Sequence, residues 1–279
     1  MKKILTITLI ALFPLMTLAQ SKNEGKIVFT TKAKVKLSGN IVNMLSKEQL
    51  AKLQNRTTQK ELLFNSTESV YKKYEAKKDD QPTEHSFSSG GANVVIKFAG
   101  ASNDDQLYYN IEEQKVVDMR TFMGRKFLIK DEPEAAKWKI KGDSKKILGY
   151  DCKKAIMDKK ESTIEAWFTM QIPVASGPNG YGQLPGMILE VKVTPKPTKA
   201  KTEKKENGEN VSISTTRRAA TTTTATKIDF TKLDKGAIKA PRKGRKVSRK
   251  QYKKIVKRKM EEMRDSYRKG GGGIRIERN

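Results

Sequence analysis

The sequence predicts a mainly β protein: an antiparallel sheet with one short helix packed against it, followed by a basic amphipathic helix. Three observations lead there. Short segments rich in Val, Ile, Thr and aromatic residues recur between turn residues. A single helical signature interrupts them before residue 55. After about residue 235 the composition turns strongly basic.

The elements follow in order. Gly25–Leu37 (GKIVFTTKAKVKL) alternates Ala33, Val35 and Leu37 with lysines, the pattern of a half-buried strand. Ser46–Gln54 (SKEQLAKLQ) pairs a capping Ser46 with Gln49 and places Leu50 and Leu53 at helical spacing. Lys60–Asn65 and Ser69–Glu75 read as a hairpin around Ser66–Glu68, and Lys77–Gly91 as a polar loop. Val94–Phe98, Gln106–Ile111, Lys115–Thr121 and Lys126–Lys130 read as a meander. Trp138–Lys141, Ser144–Leu148 and Asp151–Asp158 continue it, and Thr163–Gln171 and Met187–Thr194 close it. Val211–Ser214 and Thr221–Asp229 are candidates for a last hairpin.

Of the 279 residues, 36% are hydrophobic and 32% charged, with 58 Lys and Arg against 31 Asp and Glu. A formal charge of +27 predicts attraction to anionic surfaces and says little about fold. Residues 1–19 read as a secretory signal peptide. Lys2 and Lys3 precede the apolar run Ile4–Leu18, and Thr17-Leu18-Ala19 supplies small residues for cleavage after Ala19. The run is too short to span a bilayer as a helix. The expected division is signal peptide 1–19, β-rich domain 20–234 and basic tail 235–279. Location in the periplasm or on the outer surface follows, and export removes the chain from most nucleic acid, so none is expected as a partner.

Residues 236–279 carry 17 Lys and Arg against 4 Asp and Glu, a net of +13. Ser248 and Gln251 fit a capping box, with Val247 and Tyr252 placed for a hydrophobic staple. Tyr252, Val256, Met260, Met263 and Tyr267 form one apolar stripe over a helix of about 248–269, with Gly270 as its stop. Arg249, Lys250, Lys253, Lys254, Lys257 and Arg258 are placed on the opposite face. They are candidates for contact with an anionic membrane surface, lipopolysaccharide or an envelope protein. An ordinary surface helix docked on its own domain is the plainer reading.

Three ordered motifs lie in 137–191: Ile147–Ala155 around Gly149-Tyr150 and Cys152, Ala166-Trp167-Phe168-Thr169 with Ile172-Pro173, and Gly177-Pro178 followed by Leu184-Pro185-Gly186-Met187-Ile188-Leu189-Glu190. Together they resemble the GLPGLI family of exported proteins, and the chain is also similar to the N-terminal bowl-like domain of type II peptide N-glycanases. The resemblance implies a curved sheet or half-barrel, like that of periplasmic lipoprotein carriers, and brings no catalytic set. Gln183 stands where the signature has its first Gly, which matters if that position needs positive φ. Physically, Gly149 and Tyr150 fit a hairpin bend. Trp167 fits a core position with Phe168 on the other face, and Gly177–Gly186 a long bent loop. Pro173, Pro178 and Pro185 are cis candidates.

No constellation sufficient for catalysis, metal or cofactor binding is visible. His85 is the only histidine. Asp104-Asp105 and Glu112-Glu113 are neighbours that a strand would point apart, and Asn103–Asp105 lacks a full calcium-loop pattern. Cys152 is the only cysteine, so it is a buried inert thiol, a reactive thiol or an intermolecular bridge. The leading functional expectation is a non-enzymatic envelope protein that binds a lipid, acyl or glycan ligand. The alternative is an interaction protein docking through its basic helix. Mass spectrometry of the exported protein tests the compartment: a mature chain starting at Gln20 is expected, and one starting at Met1 contradicts it.

Overall fold

A computed structural model describes residues 22–34, 46–48, 51, 55–75, 86–89, 92–95, 104–133, 135–196, 201–204, 210–213 and 220–269. The signal run and most of the helix expected at Ser46–Gln54 lie outside them.

The first hairpin forms as the alternation predicts. β1 (Gly25–Lys34) pairs with β2 (Asn55–Phe64), which turns through residues 65–67 into β3 (Glu68–Lys73). Asn65 closes that turn, its side-chain oxygen accepting from the Thr67 and Glu68 amides at 2.9 and 2.7 Å. The polar stretch expected as loop contains β4 (Ser86–Ser89), which pairs only with β5 (Ala92–Val95). This hairpin stands apart from the main ladder, so the segment around Val94 does not join the meander. β6 (Gln106–Asn110), β7 (Lys115–Phe122) and β8 (Arg125–Asp131) do. Met123-Gly124 turns between β7 and β8 with φ of 49° and 73°, a primed two-residue turn that suits the twist of the strands.

The next four strands form a second meander. β9 (Lys139–Ile147) is continuous where two strands were expected. It turns through Leu148-Gly149 (φ 50° and 83°) into β10 (Tyr150–Asp158), then β11 (Ser162–Thr169) and β12 (Met187–Pro195). β13 (Lys201–Lys204) and β14 (Asn210–Ile213) pair with each other. β15 (Thr221–Asp229) therefore makes no hairpin with the segment around Val211. It enters the main sheet between β1 and β12. β16 (Arg245–Val247) adds a parallel strand beside β8, and the helix α1 (Arg249–Lys269) follows. The twelve-stranded order is β16-β8-β7-β6-β3-β2-β1-β15-β12-β11-β10-β9.

This order dictates curvature. β8 and β9 are consecutive in sequence, yet ten strand spacings separate them. At about 4.8 Å each, a flat sheet would hold them roughly 48 Å apart. The seven linking residues 132–138 reach no more than about 29 Å. The sheet must curl, and it is a curved, open sheet.

The core forms two clusters. Ile27, Phe29, Leu62, Phe64, Trp167, Met187 and Leu189 belong to the larger one. Ala155, Ile164, Ala166, Phe168, Leu184 and Ile188 belong to the second, with Trp138 and Tyr181 packed against it. Trp167 and Phe168 thus divide between clusters, as strand alternation requires. The β11–β12 register shifts between Trp167 and Phe168, and across this bulge Leu189 and Val191, two residues apart, lie in different clusters. Among the described residues no peptide bond is cis, so Pro173, Pro178 and Pro185 are trans.

The signature loop enters β12 through Gly186 at φ 139°, where an added Cβ would lie 2.1 Å from the Thr169 carbonyl oxygen. Gln183 has φ 62°, so the position where the signature carries Gly does need left-handed backbone. Gln183 tolerates it while its side-chain oxygen accepts from the Ala136 amide at 2.9 Å. Gly186→Ala should therefore cost roughly 2–3 kcal/mol in denaturant unfolding. Gln183→Gly exchanges about 1 kcal/mol of backbone strain for one lost hydrogen bond and should change stability by less than about 1 kcal/mol.

Candidate functional site

Two arrangements gather the residues singled out in the sequence. The first is the signature cluster. Cys152 is buried on β10, and Trp167 is buried beside it on β11. The Trp167 indole N–H donates to Glu165 Oε1 at 3.0 Å. Lys145, on β9, sets its ammonium 4.4 Å from the Trp167 ring centroid and donates to Glu190 Oε1 at 2.7 Å. Thr224, on β15, donates to the other Glu190 oxygen at 3.0 Å. Lys154 adds a second ammonium 5.7 Å from the ring, paired with Glu165 at 3.6 Å. These motif residues therefore build a clamp: Glu190 ties the edge strand β9, across the face of Trp167, to the central strand β15. The cations over the indole gain from its quadrupole and cover it.

Burial pushes the Cys152 thiol up to about 11. At neutral pH it is almost wholly protonated and a poor nucleophile, which selects the inert option. Tyr150 packs its ring edge-on against Phe230 at 6.5 Å, and Gly149 is the hairpin turn. Gly177, Pro178, Leu184, Gly186, Ile188 and Leu189 are buried, while Pro173 and Pro185 are exposed on the loop. Ser176 bonds Ser69 at 2.8 Å, which fastens that loop to β3.

The second arrangement mounts the basic helix. The capping box forms as read: Gln251 N–H donates to Ser248 Oγ at 3.1 Å, and Ser248 N–H to Gln251 Oε1 at 2.8 Å. Val247 pairs with Ile129 in the β16–β8 ladder, and Tyr252 stacks edge-on against Phe127 at 5.4 Å. Arg249 does not join the outer face. It turns inward to Asp131 Oδ2 at 3.0 Å and to the buried Asp118 at 3.7 Å. Arg120 meets the same Asp118 at 2.7 Å and Asp105 at 3.4 Å. As the first helical residue, Arg249 lies over the end of β8, where these carboxylates converge.

Asp105 also accepts the Thr121 amide at 2.7 Å. Burial still raises its carboxyl above the ordinary value, against the pull of that amide and of Arg120, and burial lowers the ammonium of neighbouring Lys60. Asp104 faces Lys126 at 4.0 Å. Asp104 and Asp105, the described part of the segment weighed for calcium, thus face protein cations. His85 lies outside the described residues.

On the helix, Tyr252, Val256 and Met263 are half-buried and Met260 is 39% exposed. Lys257 pairs with Glu261 at 3.9 Å and Arg258 with Glu262 at 3.6 Å. Lys250, Lys253 and Lys254 are exposed with no carboxylate partner among the described residues, as are Arg242, Lys243, Arg245 and Lys246 before the helix. Seven free cations therefore line residues 242–254. Sequence reasoning found the helical ones and missed Arg242, Lys243 and the two of β16, which read as linker because a three-residue parallel strand leaves no periodicity.

A family model fits the chain over residues 58–216, from within β2 to beyond β14. The chain belongs to the N-glycanase peptide, N-terminal domain family. The matched stretch contains the whole 137–191 signature, so Trp167, Cys152 and Glu190 sit within the family's domain. No curated protein matches. Two crystal forms of PNGF-II are similar at 16% identity and a TM-score of 0.47, over 83% of this chain and 32% or 33% of theirs. The chain thus spans about a third of the length of PNGF-II. A LolA superfamily protein from Nitrosomonas europaea matches at 5% identity and a TM-score of 0.29, over 78% of this chain and 90% of that one. A further groove of about 360 Å³ is lined by Asn23, Glu24, Asn65, Ser66, Phe230, Thr231 and Lys232. Only Phe230 offers it an apolar side chain.

Arg249→Ala leaves Asp118 with Arg120 alone. It should cost about 1–2 kcal/mol. Amide exchange in the first turns of α1 should accelerate while β1, β11 and β12 stay protected. Unchanged exchange in α1 contradicts the mounting.

Proposed function

We propose that this chain is an exported, non-enzymatic docking protein that binds an anionic envelope surface through residues 242–254. The observation that carries the reading is the strip of seven free cations on a fixed mount. Ladder pairing of β16, the Arg249 ion pairs and the Tyr252–Phe127 contact hold the strip, so little ordering entropy remains to be lost on binding. Lipid phosphates and other polyanions of the envelope are the chemical complement. No helix among the described residues is long and apolar enough to cross a membrane, so contact would be peripheral. The groove beside Phe230 offers a lipid or acyl chain a single apolar side chain, Phe230 itself.

Each lysine near an anionic surface contributes about 1 kcal/mol. Purified protein should sediment with vesicles containing anionic phospholipid and not with neutral ones, and high salt should release it. The triple variant Lys250→Glu, Lys253→Glu, Lys254→Glu should bind at least 100-fold more weakly with unchanged stability. Equal binding to neutral vesicles, or indifference to the triple reversal, overturns the proposal.

A further inference from the structure

The two edges of the sheet are treated differently. The β8 edge is covered by β16 and α1. No strand lies beyond β9 among the described residues: β9 is the last strand in the order, nine residues long and free of proline. Every residue from Lys139 to Lys146 is exposed except the half-buried Lys145. Ile140, at 53% exposure, is among the most exposed large apolar side chains described. One row of β9 backbone groups pairs with β10, and the other has no strand beside it among the described residues. Such a row is a template for another strand.

Charge selects the occupant. β9 carries Lys139, Lys141, Lys145 and Lys146 against Asp143. Lys145 and Lys146 are committed to Glu190 and Asp151, and Asp143 to Lys154. Lys139 and Lys141 make no ion pair among the described residues, although the Asp158 carboxylate feels the Lys139 charge, and Lys153 is exposed on the adjacent strand. A second copy pairing antiparallel about Asp143 would set Lys141 against Lys145, and like charges directly opposite are destabilising. We infer that the β9 edge accepts an extended acidic segment of a partner protein by strand addition. Acidic side chains would face Lys139 and Lys141 on one side of the pleat, and apolar ones would lie on the Ile140 side. The register break between Lys153 and Ala155 bends β9 and gives this edge its shape. The surface is independent of the basic strip at 242–254.

The test uses the full mature chain and a nine-residue peptide of alternating Glu and Val. The same peptide N-methylated at alternate residues keeps the charge and loses the ladder. Saturable binding is expected, with slowed amide exchange over 139–146 and at least ten-fold weaker affinity for the N-methylated peptide. Lys139→Glu with Lys141→Glu should weaken binding at least ten-fold at an unchanged melting temperature. Should that variant unfold, the peptide comparison on the unaltered chain decides alone. Equal binding of both peptides, which reports charge attraction only, overturns the inference. So does absence of binding, or a dimer in sedimentation whose interface protects β9.

Discussion

β15 joins two blocks that would otherwise be separate sheets. One block is β16-β8-β7-β6-β3-β2-β1 and the other is β12-β11-β10-β9, and the Thr-rich strand Thr221–Asp229 pairs with β1 on one side and β12 on the other. Its threonines do this with side chains as well as backbone: Thr223 bonds Thr31 at 2.9 Å, and Thr224 holds Glu190 of the signature. Cross-strand pairs of this kind contribute a few tenths to about 1 kcal/mol each. Ala225 is buried in the larger core cluster, so the same strand links the blocks through packing.

With the blocks joined, the short 132–138 connection becomes a constraint, because it must reach from one end of the ladder to the other. Curvature follows, and so does the contrast between edges. The edge beside β8 receives the C-terminal segment and its ion pairs, while the edge at β9 stays open. The signature clamp stands where the blocks meet: Glu190 reaches β15 through Thr224 and β9 through Lys145, with Trp167 beneath the bridge. The signature residues of this chain are accounted for here by architecture, and the free cations lie elsewhere, on the mounted C-terminal strip.

Local features were legible in the sequence. Ser248 and Gln251 announced a cap because both partners lie within one turn, and Trp167 and Phe168 announced opposite faces because strand alternation is local. The need for left-handed backbone at Gln183 was legible only as a question, since a side chain there hides what glycine would declare. Long-range placement was not legible. Thr221–Asp229 reads the same whether it pairs with a neighbour or with β1 nearly two hundred residues away. β9 reads as the next strand of a meander, because no residue in it encodes distance from β8. Arg249 sits at a spacing that suggests the outer face, and only the carboxylates of Asp118 and Asp131, on other strands, draw it inward.

Hydrogen exchange across the intact protein tests the joined sheet most directly. Peptides covering 221–229 should be protected as strongly as those covering 25–34 and 187–195, and should lose protection together with them as denaturant is raised. Rapid exchange of 221–229 while both neighbouring strands remain protected would contradict the account.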